Sequence, residues 1–118
     1  MHSPRKPLVS VRSLVEEYLQ DCFRAESAPR VKELASLAGV APALLARRFY
    51  GESRLRLSTY FRLRQISHAQ RLLLTTNQNC TKVGYASAFQ TRATFFRVFR
   101  RHAGCTPEAF RRRGSAAL

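Results

Sequence analysis

Apolar residues recur along most of the chain at spacings of three and four positions, which is the period of an α-helix with one buried face. The first stripe, between Ser10 and about Arg24, consists of Val11, Leu14, Val15, Tyr18, Leu19 and Cys22. Further stripes lie at 31–38, 42–50, 58–75, 80–88, 91–102 and 106–113. The alternation that is typical of strands occurs nowhere. The pattern therefore predicts an all-α protein of about seven helices between a loose arm at 1–10 and a short tail at 114–118.

An arrangement of helix, tight turn and helix occurs twice, at 31–50 and at 80–101. Gly39 and Ala88 occupy corresponding positions in the two turns, and each second helix ends on an inward phenylalanine, Phe49 or Phe99. We therefore expect two helix-turn-helix units, at about 11–57 and 79–113, joined by a linker helix at about 58–75. Its roughly 18 residues would span about 27 Å, which is comparable with the roughly 34 Å between successive major-groove segments of DNA.

A helix-turn-helix places its second helix in the major groove, where outward side chains reach base edges. In the helix at 42–50 the stripe opposite the core comprises Ala43, Ala46, Arg47 and Tyr50. In the helix at 91–101 it comprises Arg92, Ala93, Phe96, Arg97 and Arg100. Arginine binds guanine or phosphate, and an exposed phenylalanine packs on thymine methyl groups. The alternative for Phe96 is packing beneath the neighbouring unit.

The charge of the chain favours a polyanionic partner. The chain has 21 Lys+Arg against 7 Asp+Glu, a formal net charge of +14, and so basic a domain gains affinity for DNA by releasing counterions from phosphates. Candidate phosphate contacts are Arg62, Arg64, Arg71, Arg100, Arg101, Arg111, Arg112 and Arg113. An anionic membrane surface is the second candidate partner. However, no apolar run approaches the ~20 residues of a membrane span, and no signal peptide is visible. We therefore expect a cytoplasmic protein without membrane association.

Nothing in the sequence suggests an enzyme. The three cysteines, Cys22, Cys80 and Cys105, are odd in number and far apart, so we expect reduced thiols and no zinc site. His68 falls within the long helix and Cys105 beside a helix turn, where packing roles are expected. No phosphate-binding glycine loop and no catalytic triad pattern is present. We expect no catalytic residue, metal, cofactor or small-molecule effector in this chain.

These motifs resemble a known family, the AraC/XylS-type DNA-binding domain of bacterial activators. LASLAGVAPALLARRFYGE is similar to its first helix-turn-helix, YFRLRQISHAQRLLLTT to its linker helix, and FFRVFRRHAGCTPEAFRRR to the end of its second unit. The resemblance covers about 11–113. It implies a double-stranded DNA partner, with RNA polymerase as a second candidate, and either a stand-alone monomeric regulator or an isolated domain. By position it places base contacts on Ala43, Ala46, Arg47, Arg92, Ala93, Phe96 and Arg97.

The chain departs from this family where helix ends and turns need support. Arg30 and Ala41 stand where small polar caps are usual, and each lost cap costs roughly 1 kcal/mol. In the helix at 91–101 the expected cap lies one residue later than in the family, at Thr91. Ala88 stands where glycine is expected, and a positive φ there would cost about another 1 kcal/mol. Gly84 in mid-helix adds about 1 kcal/mol. We therefore expect a loosely held second unit.

Pattern, charge and resemblance together predict a sequence-specific transcription regulator that reads two adjacent major-groove segments of double-stranded DNA as a monomer, and the resemblance favours an activator. Two alternatives stay open: a helical protein-interaction module, and a basic protein that coats nucleic acid without sequence preference. A preference of ~10³ or more for one duplex over random competitor would distinguish a specific binder from both.

Overall fold

The computed structural model of the protein describes the backbone of residues 10–117 and the side chains of residues 10–114. Within this part every regular element is a helix, which confirms the predicted all-α class. The helices are α1 (Val11–Ala25), α2 (Val31–Ala38), α3 (Pro42–Ser53), α4 (Leu57–Thr75), α5 (Cys80–Ala86), α6 (Arg92–Ala103) and α7 (Pro107–Ala117). Residues 1–9 of the predicted arm and Leu118 of the predicted tail lie outside the described residues.

The observed helix ends agree with those predicted from the sequence in most places and differ from them in two. Gly39 and Gly104 follow α2 and α6 with φ of 72° and 80°, as their positions predict. Gly51, where the sequence predicts an end to the third helix, instead lies inside α3. That helix ends because Arg54 takes the left-handed conformation, with φ of 64°. The last helix continues past Arg113 to the end of the described chain.

The chain forms two compact units, and the division between them falls within α1 and α4. Unit 1 comprises residues 10–21 and Pro29–Phe61, and unit 2 comprises Cys22–Ala28 and residues 62–117. Each unit contains one pair of helices joined by a tight turn, α2 with α3 and α5 with α6. These pairs are the ones that the repeated pattern predicts.

The core of unit 1 forms where the apolar stripes of its helices meet. Its buried side chains are Val15, Tyr18, Leu19, Leu34, Ala35, Leu45, Phe49, Leu57, Tyr60 and Phe61. The ring centroids of Phe49 and Tyr60 lie 5.1 Å apart. Because burial of a large apolar side chain is worth about 1.5–3 kcal/mol, Leu45 and Phe49 determine which face of α3 points inward.

Tyr18 supports the start of α2, which has no side-chain cap. Arg30 occupies the N-cap position in an extended conformation, and its side chain makes no capping bond. The Tyr18 hydroxyl accepts the Arg30 N–H at 2.9 Å and donates to the Glu33 carboxylate at 2.5 Å. A contact from another helix thus supports a helix end that lacks a local cap.

The core of unit 2 is a chain of phenylalanine rings between α4, α5, α6 and α7. Its buried residues are Ile66, Ala69, Leu73, Val83, Phe89, Phe95, Val98 and Phe99, and the half-buried Phe110 packs against them. Centroid distances are 5.1 Å from Phe89 to Phe95, 5.7 Å from Phe95 to Phe99 and 5.6 Å from Phe99 to Phe110. These rings hold the inward face of α6.

Gly84 has a packing role that its sequence position does not reveal. A Cβ at this position would lie 2.6 Å from Cδ2 and 2.8 Å from Cγ of Phe95. Only a residue without a side chain allows α5 and α6 to approach this closely. The conformational cost of Gly84 stays a prediction, and the structure shows in addition that this glycine allows close packing of α5 against Phe95.

Candidate nucleic-acid interface

In unit 1 a tight turn at residues 39–41 joins the two helices of the pair. The Gly39 N–H donates to the Ser36 carbonyl at 3.1 Å and the Val40 N–H to the Ala35 carbonyl at 3.0 Å. Pro42 then begins α3, where its missing N–H leaves no helical bond unmade. The turn thus provides hydrogen bonds for two carbonyls at the end of α2, and α3 begins directly after it.

The exposed face of α3 carries the predicted base-reading residues of unit 1. Ala43 and Arg47 are exposed and Ala46 is half-buried. Ala46 and Arg47 line a surface depression together with Tyr50 and Arg56. Because alanine has no side-chain donor, the guanidinium of Arg47 is the strongest hydrogen-bond donor among the three predicted readers.

The turn of unit 2 combines a strained residue with a buried glutamine. Ala88 has φ of 70°, so the condition under which alanine is costly at this position is met, and such a conformation costs a non-glycine residue roughly 1–2 kcal/mol. Gln65 of α4, which is 2% exposed, donates through Nε2 to the carbonyls of Ser87 at 3.3 Å and Ala88 at 3.0 Å. One buried amide therefore holds two carbonyls of the turn, which opposes the looseness expected for this unit.

The exposed face of α6 carries the predicted base-reading residues of unit 2. The helix begins with the predicted cap, in which Thr91 Oγ1 accepts the Thr94 N–H at 3.1 Å. Its exposed predicted readers are Arg92, Ala93 and Arg97, and Phe96 is half-buried. The buried Phe95, Val98 and Phe99 lie on the opposite side of the helix, as predicted. The prediction of an exposed Phe96 is wrong, because its ring is half-buried and packs against this core.

The ring of Phe96 lies between two neighbours within its own unit. Its centroid is 5.5 Å from that of Phe95 in an edge-on contact, and the guanidinium carbon of Arg92 lies 4.2 Å from it. Arg92 also donates from Nε to Oγ1 of Thr81 at 3.2 Å. The side chain of Phe96 is thus packed among residues of the same helix pair.

The predicted phosphate contacts differ in exposure. The exposed ones are Arg71, Arg100, Arg101, Arg112 and Arg113. Arg62, Arg64 and Arg111 are half-buried. From Ser58 to Arg113 the sequence contains a single acidic residue, Glu108. Positive charge is therefore barely offset along this part of the chain, as a phosphate-binding surface requires.

Arg62 lies close to the turn of unit 2. Its guanidinium carbon is 5.4 Å from the ring centroid of Phe89, and Nη1 donates to Oε1 of Gln65 at 3.5 Å. Burial and, second, the positive charge of Arg97 lower the pKa of Arg62. Since a guanidinium keeps its proton in proteins, the two cations remain charged beside one another.

Arg111 caps the carboxyl end of α4. It donates from Nε to the Leu73 carbonyl at 3.0 Å and from Nη2 to the Thr76 carbonyl at 3.2 Å. Carbonyls at a helix C-terminus have no partner within the helix, so this side chain supports the fold. Contact of Arg111 with phosphate stays a prediction.

Sequence reasoning missed Gln65 and Thr81. Gln65 had a signal, because it is a polar residue on the buried stripe of α4, four positions from both Phe61 and Ala69. Thr81 had none, because its partner Arg92 is eleven residues away on another helix. Both act on the second helix pair, through its turn and its exposed face.

His68 and the three cysteines are buried or half-buried. The rings of Phe23 and His68 stack with centroids 4.1 Å apart and planes at 11°, and burial lowers the pKa of His68. Cys22 and Cys105 are buried, and burial raises the pKa of the Cys80 thiol.

Among the described residues no cluster of His, Cys, Asp and Glu could hold a metal ion. No helix in the same part of the chain is long and apolar enough to cross a membrane.

Comparison with known proteins identifies the family. Residues 34–113 match the family model described as a helix-turn-helix domain. The chain belongs to this family, the helix-turn-helix domain of the AraC type. Its family and fold are those of DNA-binding transcription regulators and not of enzymes.

Solved structures share the fold. The DNA-binding domain of AdpA, a global transcriptional factor solved in complex with a target DNA, is 23% identical with a TM-score of 0.77, over 87% of this chain and 94% of that one. An AraC-type transcriptional regulator from Chromobacterium violaceum is 24% identical (TM-score 0.72; 89% and 88% covered). A DNA-binding transcriptional dual regulator from Escherichia coli K-12 is 18% identical (TM-score 0.77; 92% and 95% covered). No match was found among curated protein sequences.

Proposed function

We propose that the chain regulates transcription by binding one preferred sequence of double-stranded DNA, with α3 and α6 in two successive major-groove segments. The observation that supports this function occurs in both units. The second helix of each pair has one buried apolar face and an opposite face with exposed arginines, Arg47 on α3 and Arg92 and Arg97 on α6. The guanidinium fork of arginine matches the O6 and N7 acceptors of guanine.

The exposed arginines other than Arg47, Arg92 and Arg97 serve as phosphate anchors. Arg100 and Arg101 lie in the last turn of α6, and Arg112 and Arg113 lie on α7. Contacts to phosphate position a protein on the duplex without reading its sequence. Anchors and readers therefore have separable effects on binding.

We further propose that one chain occupies the whole site as a monomer, because a single chain carries both reading helices. The resemblance to bacterial activators supports activation, with RNA polymerase as a second partner, in the cytoplasm where the DNA lies. Sedimentation of the free protein should show a single-chain species. Expression of a reporter gene that carries the preferred site upstream of its promoter should increase when the protein is produced. A stable dimer without DNA, or repression of the reporter, would contradict these two points respectively.

Selection from a random duplex library tests the central proposal. We expect one preferred duplex, bound at least ~10³-fold more tightly than random competitor. Uniform affinity for all duplexes would instead identify a protein that coats nucleic acid. If the protein binds no duplex, the protein-interaction module is the hypothesis that remains.

Variants of the reading arginines then test the assignment of the two faces. Arg47→Ala and Arg97→Ala should each weaken the preferred duplex by about 1–3 kcal/mol and relax the sequence requirement in one half only. Because α3 offers one arginine between two alanines and α6 offers two arginines, we expect unit 2 to contribute more of the sequence discrimination, and Arg97→Ala to lose more of it than Arg47→Ala. The matched control Arg112→Ala should weaken preferred and random duplexes about equally. A larger loss from Arg47→Ala would mean that unit 2 is mainly an anchor.

A further inference from the structure

Arg92 is held on two sides within unit 2. Its guanidinium carbon lies over the Phe96 ring, 4.2 Å from the ring centroid. Its Nε–H donates to Oγ1 of Thr81 at 3.2 Å. The ring of Phe96 in turn makes an edge-on contact with the ring of Phe95, which is fully buried. A side chain that is usually mobile on a protein surface is therefore restrained by a ring and a hydroxyl.

The two restraints use only part of the hydrogen-bonding capacity of Arg92. A guanidinium has five N–H donors, and the bond to Thr81 uses the one on Nε. Neither a hydroxyl nor an aromatic ring neutralises the positive charge. The Nη1 and Nη2 groups, which together carry four N–H donors, are the end of the fork that can pair with two acceptors.

Helix stability does not explain an arginine at this position. Arg92 is the first residue of α6, where a cation meets the positive end of the helix dipole and is unfavourable. The first turn of a recognition helix is also where base contacts concentrate. A restrained side chain loses less conformational freedom on binding, which favours discrimination over mere attraction.

We propose that Phe96 and Thr81 are positioning residues that aim Arg92, so that its Nη1 and Nη2 groups bind O6 and N7 of one guanine in the half bound by unit 2. Phe96 then acts through Arg92 and does not itself read a thymine methyl group. This inference rests on the proposed function, which assigns Arg92 to base reading, and it adds the two residues that position Arg92.

The test uses the full chain and the duplex obtained by selection. Each guanine is replaced in turn by 7-deazaguanine, which lacks the N7 acceptor. With the unmodified protein, replacement of each guanine that an arginine of unit 2 binds should weaken binding about tenfold, and one of these guanines should lose its effect in Arg92→Ala. Arg92→Ala should lose a similar factor on the natural duplex and show no further loss with the modified one. Undiminished sensitivity to that guanine in Arg92→Ala would overturn the proposal.

The positioning roles are tested by pairs of variants. Thr81→Val and Phe96→Leu should each weaken the preferred duplex about three- to tenfold and leave random duplex unchanged. Thr81→Ser, which keeps the hydroxyl, and Phe96→Tyr, which keeps the ring, should restore binding. The exposed Thr59 provides the matched control, since Thr59→Val should change neither affinity. Circular dichroism checks that every variant folds.

Three outcomes would overturn the positioning roles. Equal losses on preferred and random duplex would show that Thr81 and Phe96 act only on the fold. A failure of Thr81→Ser and Phe96→Tyr to restore binding would show that the hydroxyl and the ring are not what matters. Sensitivity to replacement of a thymine by uracil that disappears in Phe96→Leu would show that the ring reads a methyl group itself. A protein with no preferred duplex overturns both this inference and the proposed function, whereas a preferred duplex with any of the other failures overturns only this inference.

Discussion

Replacement of Gly84 by alanine tests how closely α5 and α6 pack in unit 2. The added methyl carbon would lie 2.6 Å from Cδ2, 2.8 Å from Cγ and 3.1 Å from Cβ of Phe95. Phe95 cannot turn away, because its side chain is fully buried and its ring contacts Phe89 and Phe99. The clash must therefore displace one of the two helices or a part of the aromatic core.

The expected magnitude follows from two opposing effects. An added methyl group in a close-packed core typically costs about 1–3 kcal/mol. Because carbon atoms normally approach to about 3.5–4.0 Å, a separation of 2.6 Å places this cost at the upper end. Alanine also favours the helix over glycine by about 1 kcal/mol. We therefore expect Gly84→Ala to lower the free energy of unfolding by about 2 kcal/mol.

Gly51 provides a matched control. It lies inside α3, and a Cβ at this position would have no heavy atom within 4 Å. Gly51→Ala should therefore raise the free energy of unfolding by about 0.5–1 kcal/mol. Urea titration followed by far-ultraviolet circular dichroism measures both variants. If Gly84→Ala stabilises the protein as much as Gly51→Ala does, the argument from close packing is refuted.

Three further predictions concern charged and titratable side chains. Arg111→Ala should lower the free energy of unfolding by about 1–2 kcal/mol through loss of its bonds at the end of α4, whereas the exposed Arg112→Ala should stay within about 0.5 kcal/mol; equal urea midpoints would contradict the capping role. If about six phosphates are neutralised, log affinity should fall against log salt with a slope near −5, and Arg112→Ala should make the slope shallower by about 1; an unchanged slope would exclude Arg112 as an anchor. Burial, with the charges of Arg71 and Arg64, lowers the pKa of His68 below its ordinary value of 6.5. The unfolded chain therefore binds more protons, and stability should fall as the pH drops below about 6.5; urea titrations at several pH values should show a weaker fall in His68→Phe, and identical profiles would refute the assignment.

Local features of the fold were predictable from the sequence because they depend on residues a few positions apart. The helical stripes, the cap formed by Thr91 on Thr94 and the positive φ of Gly39 all involve neighbours along the chain. The inner and outer faces of α6 follow in the same way from a period of 3.6 residues. The candidate reading residues on these faces, among them Arg47 and Arg97, could thus be named before the structure was known.

Long-range contacts decided the features that the sequence did not reveal. Arg111 and Leu73 are 38 residues apart and Gln65 and Ala88 are 23 residues apart, yet each pair forms a hydrogen bond. An arginine in a basic C-terminal run has the same local pattern whether it binds phosphate or caps a helix. Only the folded chain distinguishes the two.

The sequence by itself therefore determined the helical class, the two helix pairs and the outward faces that carry arginine, because side-chain period and turn chemistry are properties of short segments. The tertiary structure decided what individual side chains on and behind those faces do. It made Gly84 a point of close contact with Phe95, and it placed Arg92 between Phe96 and Thr81. The physical reason is that packing distances and hydrogen bonds between helices arise only when segments far apart in the chain are brought together.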